Sequence, residues 1–248
     1  MSVGDKYSEI AEFYDAMLPA NPARDTFFHQ LFRRYKVQRV LDCACGTGND
    51  LLMFHSLGYS VCGSDISESM LRVAKRKLQQ NNVKIPLKLI DFHELHKHYS
   101  SKFDAVVCLS NAINESEVDA QQAFNSMRSV LSPSGIIVFD QGQTDLSMKS
   151  PPRYVPEVNN RDLSRLYIID YEQRLMTVQI FDFIHNEKNG KYDFHRSEFK
   201  IHIRLFADWE EILDGLNMQA EYYGDWQSST YDMNNSKRLI IVAREKEK

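Results

Sequence analysis

The feature that most constrains the fold is a short apolar run that ends in a glycine turn and restarts as a helix. The run covers residues 37–44, the turn is Gly46-Thr47-Gly48, and residues 51–54 resume an apolar helical pattern. Glycines at the end of a strand let the backbone approach a ligand closely, and the start of the next helix offers free amide donors. The segment therefore predicts a strand, a tight turn and a helix whose first turn faces a ligand.

The same alternation of strand and helix continues to residue 139. Further strands are predicted at residues 59–63, 87–90, 103–109 and 136–139, with a turn at Ser132-Pro133-Ser134-Gly135 before the last. Two helices within residues 7–36 precede the first strand, and two closing strands follow at 220–223 and 239–243. This order implies right-handed crossovers in one sheet. We therefore predict an α/β fold with a Rossmann-like, mostly parallel seven-stranded sheet flanked by helices.

The alternation stops after the fifth strand. Strands without helices between them are predicted at residues 167–171, 176–185 and 192–205, and Asn189-Gly190 signals a hairpin. We predict an antiparallel β insertion or lid at residues 141–202. Residues 1–140 and 203–248 then form the Rossmann-like domain with its N-terminal cap helices. Asp208 with Glu211 is predicted to cap the helix that follows the insertion.

Composition excludes several classes of protein. The 248 residues are 43% hydrophobic and 26% charged, and the net charge of −4 supplies no positive field for a nucleic-acid partner. The absence of a signal-like or membrane-spanning apolar stretch predicts a cytoplasmic location and no membrane partner. Four cysteines lie in apolar runs, which favours reduced thiols over disulfides. The oligomeric state is left open.

Two acids follow the glycine turn at the ends of later strands. Asp65 lies one strand-helix unit downstream, where a carboxylate binds the two ribose hydroxyls of a nucleotide, and Asp91 ends the third strand. With the turn they predict an adenosine-ribose site, and their coincidence disfavours a turn that binds nothing. A nicotinamide dinucleotide requires a third glycine where this chain has Leu51, which disfavours that cofactor.

The segments DCACGTGND, GSDIS, IDFHEL and FDAVVCLSNAI resemble the successive cofactor motifs of class I S-adenosylmethionine methyltransferases. The resemblance implies S-adenosylmethionine as cofactor and S-adenosylhomocysteine as product. It places Gly46 and Gly48 beside the methionine part, Asp65 on the ribose, and Leu109 on the methyl-donor side. The adenine residues that it implies are Ile66, Asp91 and Phe92. Asp42, Ala44 and Arg24 complete the predicted cofactor set, with Arg24 on the cofactor carboxylate.

Within that class, QRVLDCACGTGND and FDAVVCLSNA are similar to glycine or sarcosine N-methyltransferases, and DFHRSEFKIHIRLF to amino-sugar N-methyltransferases. The similarity implies N-methylation of an amine or amino-acid-like small molecule. Gly142 stands where the glycine enzymes place an arginine that grips the substrate carboxylate. Glycine as acceptor would therefore require another arginine, and the candidates are Arg153, Arg161 and Arg204.

Methyl transfer from a sulfonium is an in-line displacement, so the protein mainly aligns donor and acceptor. An amine must present a neutral lone pair, and a carbonyl, carboxylate or tyrosine can take up its proton. The predicted acceptor-side residues are Asn111, Tyr7 and Tyr14. Their structural alternatives are a turn cap for Asn111, surface for Tyr7 and core for Tyr14.

Several alternatives remain open for function. They are a small-molecule O-methyltransferase, an NAD-dependent oxidoreductase, and a module that binds the cofactor without transferring methyl. The histidines of FHELHKH have no acidic or cysteine partner at the usual ligand spacing, so we predict no metal.

Overall fold

The computed structural model describes residues 5–18, 20–100 and 102–246. The strands are β1 (Arg39–Asp42), β2 (Ser60–Asp65), β3 (Leu87–Leu89), β4 (Phe103–Cys108), β5 (Leu131–Gln141), β6 (Tyr154–Asn159), β7 (Leu163–Glu172), β8 (Leu175–Asn186), β9 (Lys191–His202), β10 (Met218–Tyr223) and β11 (Leu239–Glu245). The α-helices are α1 (Pro22–Arg34), α2 (Asn49–Ser56), α3 (Glu68–Gln80), α4 (Leu95–His98), α5 (Ala120–Ser129) and α6 (Phe206–Gly215). Short 3₁₀ helices cover Ala11–Met17, Phe92–Glu94, Ala112–Asn114 and Ser147–Lys149.

The larger sheet has seven strands in the order β10-β11-β5-β4-β1-β2-β3. β1 lies inside the sheet between β4 and β2, and Val40 pairs in parallel with Val61 of β2 and Ala105 of β4. β11 runs antiparallel to β5 and β10. The predicted α/β fold with a mostly parallel, Rossmann-like seven-stranded sheet is thus confirmed. Because β1, β2 and β4 are parallel, their carboxyl ends meet at one edge of the sheet.

Helices bury an apolar core on each face of this sheet. On one face α1 and α2 contribute Phe28, Phe32 and Phe54, which contact one another edge-on or tilted. On the other face Phe124 of α5 and Trp209 of α6 pack on β5. Burying an aromatic or aliphatic side chain of this size stabilises the fold by about 1.5–3 kcal/mol. These two cores hold the strand ends in fixed positions.

The smaller sheet is antiparallel, with the order β6-β7-β8-β9. It contains the predicted hairpin, in which Asn186 pairs with Lys191 and Gly190 has φ +67°. The sequence did not predict β6, which carries Pro156 and an irregular register beside it. The inner face of this sheet packs against Ile10 and the 3₁₀ helix Ala11–Met17. The antiparallel insertion after the fifth strand is confirmed, while the domain boundaries stay a prediction.

Two local predictions are wrong. The turn at residues 132–135 lies inside β5, because residues 131 and 136 of β5 pair with residues 103 and 105 of β4 and the intervening residues bulge outward. The helix capped by Asp208 begins earlier, at Phe206, so Asp208 is the third helical residue. Its carboxylate accepts the Leu205 N–H at 2.8 Å and so caps the N-terminus of the helix from its first turn.

Across residues 5–18, 20–100 and 102–246, no helix is long and apolar enough to span a bilayer. The cytoplasmic location and the absence of nucleic-acid and membrane partners stay predictions. The cysteines are free thiols, three of them buried.

Candidate active site

The glycine turn after β1 uses both glycines in the left-handed region, with φ +48° at Gly46 and +83° at Gly48. A Cβ at Gly46 would meet nothing within 4 Å, so this residue faces open space. A Cβ at Gly48 would lie 3.2 Å from the Cβ of Ala74 in α3. Gly46 therefore opens the turn toward a cleft, and Gly48 allows α2 to start close to α3.

Asp65 links the end of β2 to this turn. Its carboxylate accepts the Gly46 N–H at 2.7 Å and the Ser67 N–H at 2.9 Å. Burial raises the pKa of Asp65 to about 6, although the two N–H donors oppose the rise. The group is ionised at neutral pH and has lone pairs left for further donors.

A cleft lies at the carboxyl ends of β1, β2 and β4. Eight predicted residues line it: Tyr7, Tyr14, Ala44, Gly46, Asp65, Ile66, Phe92 and Leu109. Ile66 is 60% exposed, and such a large apolar side chain at a cleft is typical of a ligand contact. The cleft has a volume of about 80 Å³. The sequence thus predicted residues that the fold brings together from the ends of β1, β2 and β4, the segment after β3, and the N-terminal segment.

Four predicted cofactor residues, Arg24, Asp42, Gly48 and Asp91, lie outside the described lining of this cleft. Asp42 is buried, accepts the Ala44 N–H at 3.3 Å, and has a pKa raised well above its usual value by burial and nearby Asp50. Asp91 accepts the His93 N–H at 2.9 Å and begins a 3₁₀ helix. Asp42 and Asp91 therefore both have local partners that hold the strand ends.

A larger cleft of about 510 Å³ adjoins the first and shares Leu18, Asn49, Asp50 and Ser110 with it. Arg24 lines this second cleft, where its guanidinium pairs with the Asp50 carboxylate at 2.6 Å. The predicted role of Arg24 at the cofactor carboxylate stays a prediction, and the sequence did not indicate Asp50 as its partner. The two clefts together form one continuous groove over the glycine turn.

The chain leaves β4 in an uncommon conformation. Ser110 and Asn111 are consecutive non-glycine residues in the left-handed region, with φ +60° and +66°. The Ser110 N–H donates to the Asp140 carboxylate at 2.7 Å, and Asn111 Oδ1 accepts the Gly142 N–H at 3.0 Å. Backbone of this kind persists where its surroundings hold it, often at functional sites. Here β5 fixes both residues at the edge of the groove.

A third cavity, of about 220 Å³, lies between the N-terminal segment and the inner face of β7, β8 and β9. Its walls are mainly apolar, and Asn111 also lines it. It shares four residues with the cleft at the glycine turn: Tyr7, Tyr14, Ser110 and Glu115. Tyr7 and Tyr14 therefore lie between the cleft at the glycine turn and this third cavity.

Glu115 lies at the same junction and was missed from the sequence. Its carboxylate accepts the Tyr7 hydroxyl and the Lys6 ammonium, and it forms a backbone bridge with Ile201 of β9. Burial and the Glu115 charge raise the pKa of Tyr7 well above its usual value, so this phenol stays protonated as a donor. The residues around Glu115 form no local motif, and only the fold brings it to the site.

The charges of the groove favour a cation. Three carboxylates line the cleft at the glycine turn: Asp50, Asp65 and Glu115. Arg24 pairs with Asp50 and Lys6 pairs with Glu115, whereas Asp65 has no ion pair to a cation among the described residues. Asp65 therefore complements a positively charged ligand centre.

Comparisons with known proteins agree with this geometry. Residues 40–135 match the model of a family described as a methyltransferase domain. A glycine/sarcosine N-methyltransferase of Aphanothece halophytica is 31% identical over 144 residues, which cover 57% of this chain and 53% of the relative. The chain thus spans about half the length of the curated relatives it matches.

Two solved structures share the fold across almost the whole chain. A S-adenosylmethionine-dependent methyltransferase from Clostridium acetobutylicum has a TM-score of 0.83 at 18% identity and covers 96% of this chain and 98% of its own. An amino pentose methyltransferase from Micromonospora echinaspora, solved with S-adenosylmethionine bound, has a TM-score of 0.69 at 16% identity, covering 93% and 94%.

The predicted resemblance to S-adenosylmethionine-dependent methyltransferases is confirmed by these matches together. Residues 40–135 thus match the methyltransferase-domain family model, and the fold of the chain is shared with S-adenosylmethionine-dependent methyltransferases of known structure.

Proposed function

We propose that this chain is an S-adenosylmethionine-dependent N-methyltransferase that acts on a small-molecule amine. The observation that carries the proposal is the meeting of two cavities at Tyr7, Tyr14, Ser110 and Glu115. One cavity lies over the glycine turn and the other is apolar and covered by the second sheet. A methyltransferase needs a donor site and an acceptor site that meet where the methyl group is transferred, whereas a module that only binds the cofactor needs no acceptor site.

The cleft at the glycine turn, here termed the cofactor cleft, has lining residues whose chemistry suits S-adenosylmethionine. We propose that Asp65 accepts the ribose hydroxyls and that exposed Ile66, together with Phe92, contacts the adenine; all three residues line the cleft. The carboxylates of the cleft complement a cationic centre. When bound, the cofactor supplies a methyl group already activated on a sulfonium. We propose that Gly46, Ala44 and Leu109 contact the cofactor, that Arg24 near Asp50 faces its methionine end, and that Asp91 retains its predicted role at the adenine.

On the acceptor side, we propose Glu115 as the group that attracts the ammonium form of the amine and takes up its proton. A carboxylate at the junction suits this role, since the amine must lose a proton before it attacks. Tyr7 donates to the same carboxylate and orients it, and Tyr14 lines the passage. Asn111 acts by holding the backbone at the end of β4, through its bond to Gly142.

The test is methyl transfer with the purified chain and a panel of primary and secondary amines. The expected result is S-adenosylhomocysteine together with an acceptor that mass spectrometry shows methylated on nitrogen. A methyl group on oxygen would assign the alternative O-methyltransferase. The absence of S-adenosylhomocysteine with every acceptor would leave a cofactor-binding module.

A thermal-shift comparison tests the remaining alternative, the NAD-dependent oxidoreductase. S-adenosylmethionine should raise the midpoint of unfolding, because a ligand that binds only the folded state stabilises it. NAD at the same concentration should leave the midpoint unchanged. The reverse pattern would reject the proposed cofactor.

A further inference from the structure

The third cavity, between the N-terminal segment and β7, β8 and β9, is termed the acceptor cavity. We infer that this cavity selects an amine that has an apolar body and a neutral hydrogen-bonding group and carries no carboxylate. Gln143 binds the neutral group. This inference rests on the proposed function and specifies its substrate class. It differs from what a likeness to glycine and sarcosine enzymes implies, since glycine carries a carboxylate.

The first argument is charge. Among the described residues that line the acceptor cavity there is no cation, and Glu115 contributes a negative charge. The ammonium of Lys6 lies 5.8 Å from the centre of the ring of Phe199, which lines the cavity, and it already pairs with Glu115 and Glu117. A carboxylate taken into this cavity would lose its water and find no compensating charge, which is strongly unfavourable.

The second argument concerns the arginines that could have supplied that charge. Arg153 pairs with Asp170 at an exposed site, and Arg204 donates to the carbonyl oxygens of Ile113 and Val118. Arg161 lies exposed in the turn between β6 and β7. None of these three lines the cavity as described. A carboxylate-binding role for them is therefore disfavoured.

One further arginine is buried on the inner face of the second sheet. Arg165 is paired to Asp182 through two bonds of 2.6 Å, from Nε and Nη2. The register places this pair directly beyond Tyr167 and Ile180, which line the cavity. Asp182 thus pairs with the positive charge of Arg165 within the sheet, and Arg165 is not among the residues that line the cavity. The remaining Nη1 of Arg165 is buried without a hydrogen-bond partner among the described residues.

The third argument is an unsatisfied polar atom. Gln143 lines the cavity, and its Oε1 is buried with no hydrogen-bond partner among the described residues. Its Nε2 contacts only a weak acceptor, the sulfur of Met176, at 4.0 Å. Buried carbonyl oxygens in native structures are normally bonded, so this amide has capacity for a ligand.

An amide at this place selects for a neutral polar group. Gln143 can accept from a hydroxyl or N–H of the acceptor and can donate through its NH₂ group to an oxygen. The walls around it are apolar and include Ile169, Met176 and Val178. The matching ligand is an amine with an apolar skeleton that carries a hydroxyl or amide, as in an amino alcohol.

A pair of probes of the same skeleton tests the charge argument. Phenylalaninol and phenylalanine differ in a hydroxymethyl group against a carboxylate, and their binding to the chain with S-adenosylhomocysteine can be measured by calorimetry. We expect phenylalaninol to bind at least about 100-fold more tightly, because like charges placed together in an interface cost several kcal/mol. Equal or tighter binding of phenylalanine, or binding of neither probe, would overturn the inference.

Gln143→Leu tests the hydrogen bond, with 2-phenylethylamine as a probe that lacks the hydroxyl. The wild-type chain should prefer phenylalaninol over 2-phenylethylamine by about tenfold in Kd, and Gln143→Leu should reduce this ratio to near one. The exposed Gln122→Leu on α5 is the matched control and should keep the ratio. An unchanged ratio in Gln143→Leu would reject Gln143 as the selecting residue.

The two proposals can fail separately. Methylation of phenylalanine in preference to phenylalaninol would overturn the substrate class and leave an N-methyltransferase. No S-adenosylhomocysteine with any amine, despite tight binding of phenylalaninol, would reject the proposed function and keep the selectivity of the cavity.

Discussion

The cofactor cleft and the acceptor cavity share four residues, yet they are built in opposite ways. The cleft is formed by backbone turns and carboxylates at adjacent strand ends of the parallel sheet. The cavity is formed by apolar side chains from the N-terminal segment and from β7, β8 and β9. The cleft therefore recognises a charged, hydrogen-bonding ligand by fixed polar groups. In the function proposed here the cavity selects mainly by shape, and Glu115 and Gln143 are the polar lining residues proposed to bind the acceptor.

The difference has a practical consequence. Changes at the strand ends should act on cofactor affinity, and changes in the cavity should act on turnover and acceptor choice. Substitutions on either side therefore test whether the two regions are energetically separate or act as one unit.

The largest effect is expected at the junction, from Glu115→Gln. The amide keeps the shape but cannot take up a proton, so kcat should fall by about 100-fold or more. Cofactor affinity, measured by calorimetry, should stay within about twofold, a small change in free energy. Glu117→Gln is the matched control, since Glu117 contacts the same lysine from an exposed position and should leave kcat unchanged. Equal losses in kcat and cofactor affinity would show that the two regions are not separable at Glu115.

Asp65→Ala should act on the cofactor side alone. Loss of the carboxylate removes an acceptor for the ribose and leaves the Gly46 N–H without its partner, so cofactor binding should weaken by about 1–3 kcal/mol. Calorimetry with S-adenosylhomocysteine measures this change, and the KM for the amine should remain constant. Asp170→Ala, an exposed change on the second sheet, serves as control. Unchanged affinity in Asp65→Ala would contradict the ribose assignment.

The pH dependence of cofactor binding should follow the same carboxylate. Ribose hydroxyls donate to the ionised form, and the pKa of Asp65 in the free protein is raised to about 6 by burial. Affinity should therefore be constant above pH 7 and fall by up to about tenfold per unit below pH 6. In Asp65→Ala this step should disappear, and its persistence there would assign it to another group.

The stability of the free protein should change in the opposite direction over the same range. The folded pKa of Asp65 lies above the ordinary value of an aspartate in an unfolded chain, so the folded state binds this proton more tightly than the unfolded chain. The contribution to the free energy of unfolding is complete below about pH 4 and is lost as the pH rises through 6. Thermal unfolding of the wild type against Asp65→Ala measures it.

The smallest effect is expected at Asn111. Asn111→Ala removes the bond to the Gly142 N–H and places an alanine at φ +66°, so turnover should fall by about tenfold, more than cofactor affinity. Asn111→Gly also removes the bond but tolerates the left-handed backbone, and it should recover part of the loss. If both variants lose equally, the amide contributes through its hydrogen bond and the backbone conformation contributes little.

The sequence predicted the cofactor half of the molecule because the signals there are local. The glycine turn, Asp65 and the alternation of strands each occupy a few consecutive residues, and parallel strands bring such ends together by rule. Eight predicted residues accordingly line one cleft. The strand β6 was missed because Pro156 and an irregular register hide its alternation.

The acceptor half could not be predicted in the same way, because its residues come from distant parts of the chain. Glu115 and Gln143 lie in loops with no periodicity, and they become site residues only when β9 and the N-terminal segment pack over the end of β4. By itself, the sequence determined the sheet, the glycine turn and the acid that faces it, since backbone geometry and strand order fix these. Only the tertiary structure decided that the Glu115 carboxylate lies between the cofactor cleft and the acceptor cavity. It also decided that the Gln143 amide oxygen has no hydrogen-bond partner among the described residues. Those outcomes depend on packing between segments far apart in sequence, for which no local pattern exists.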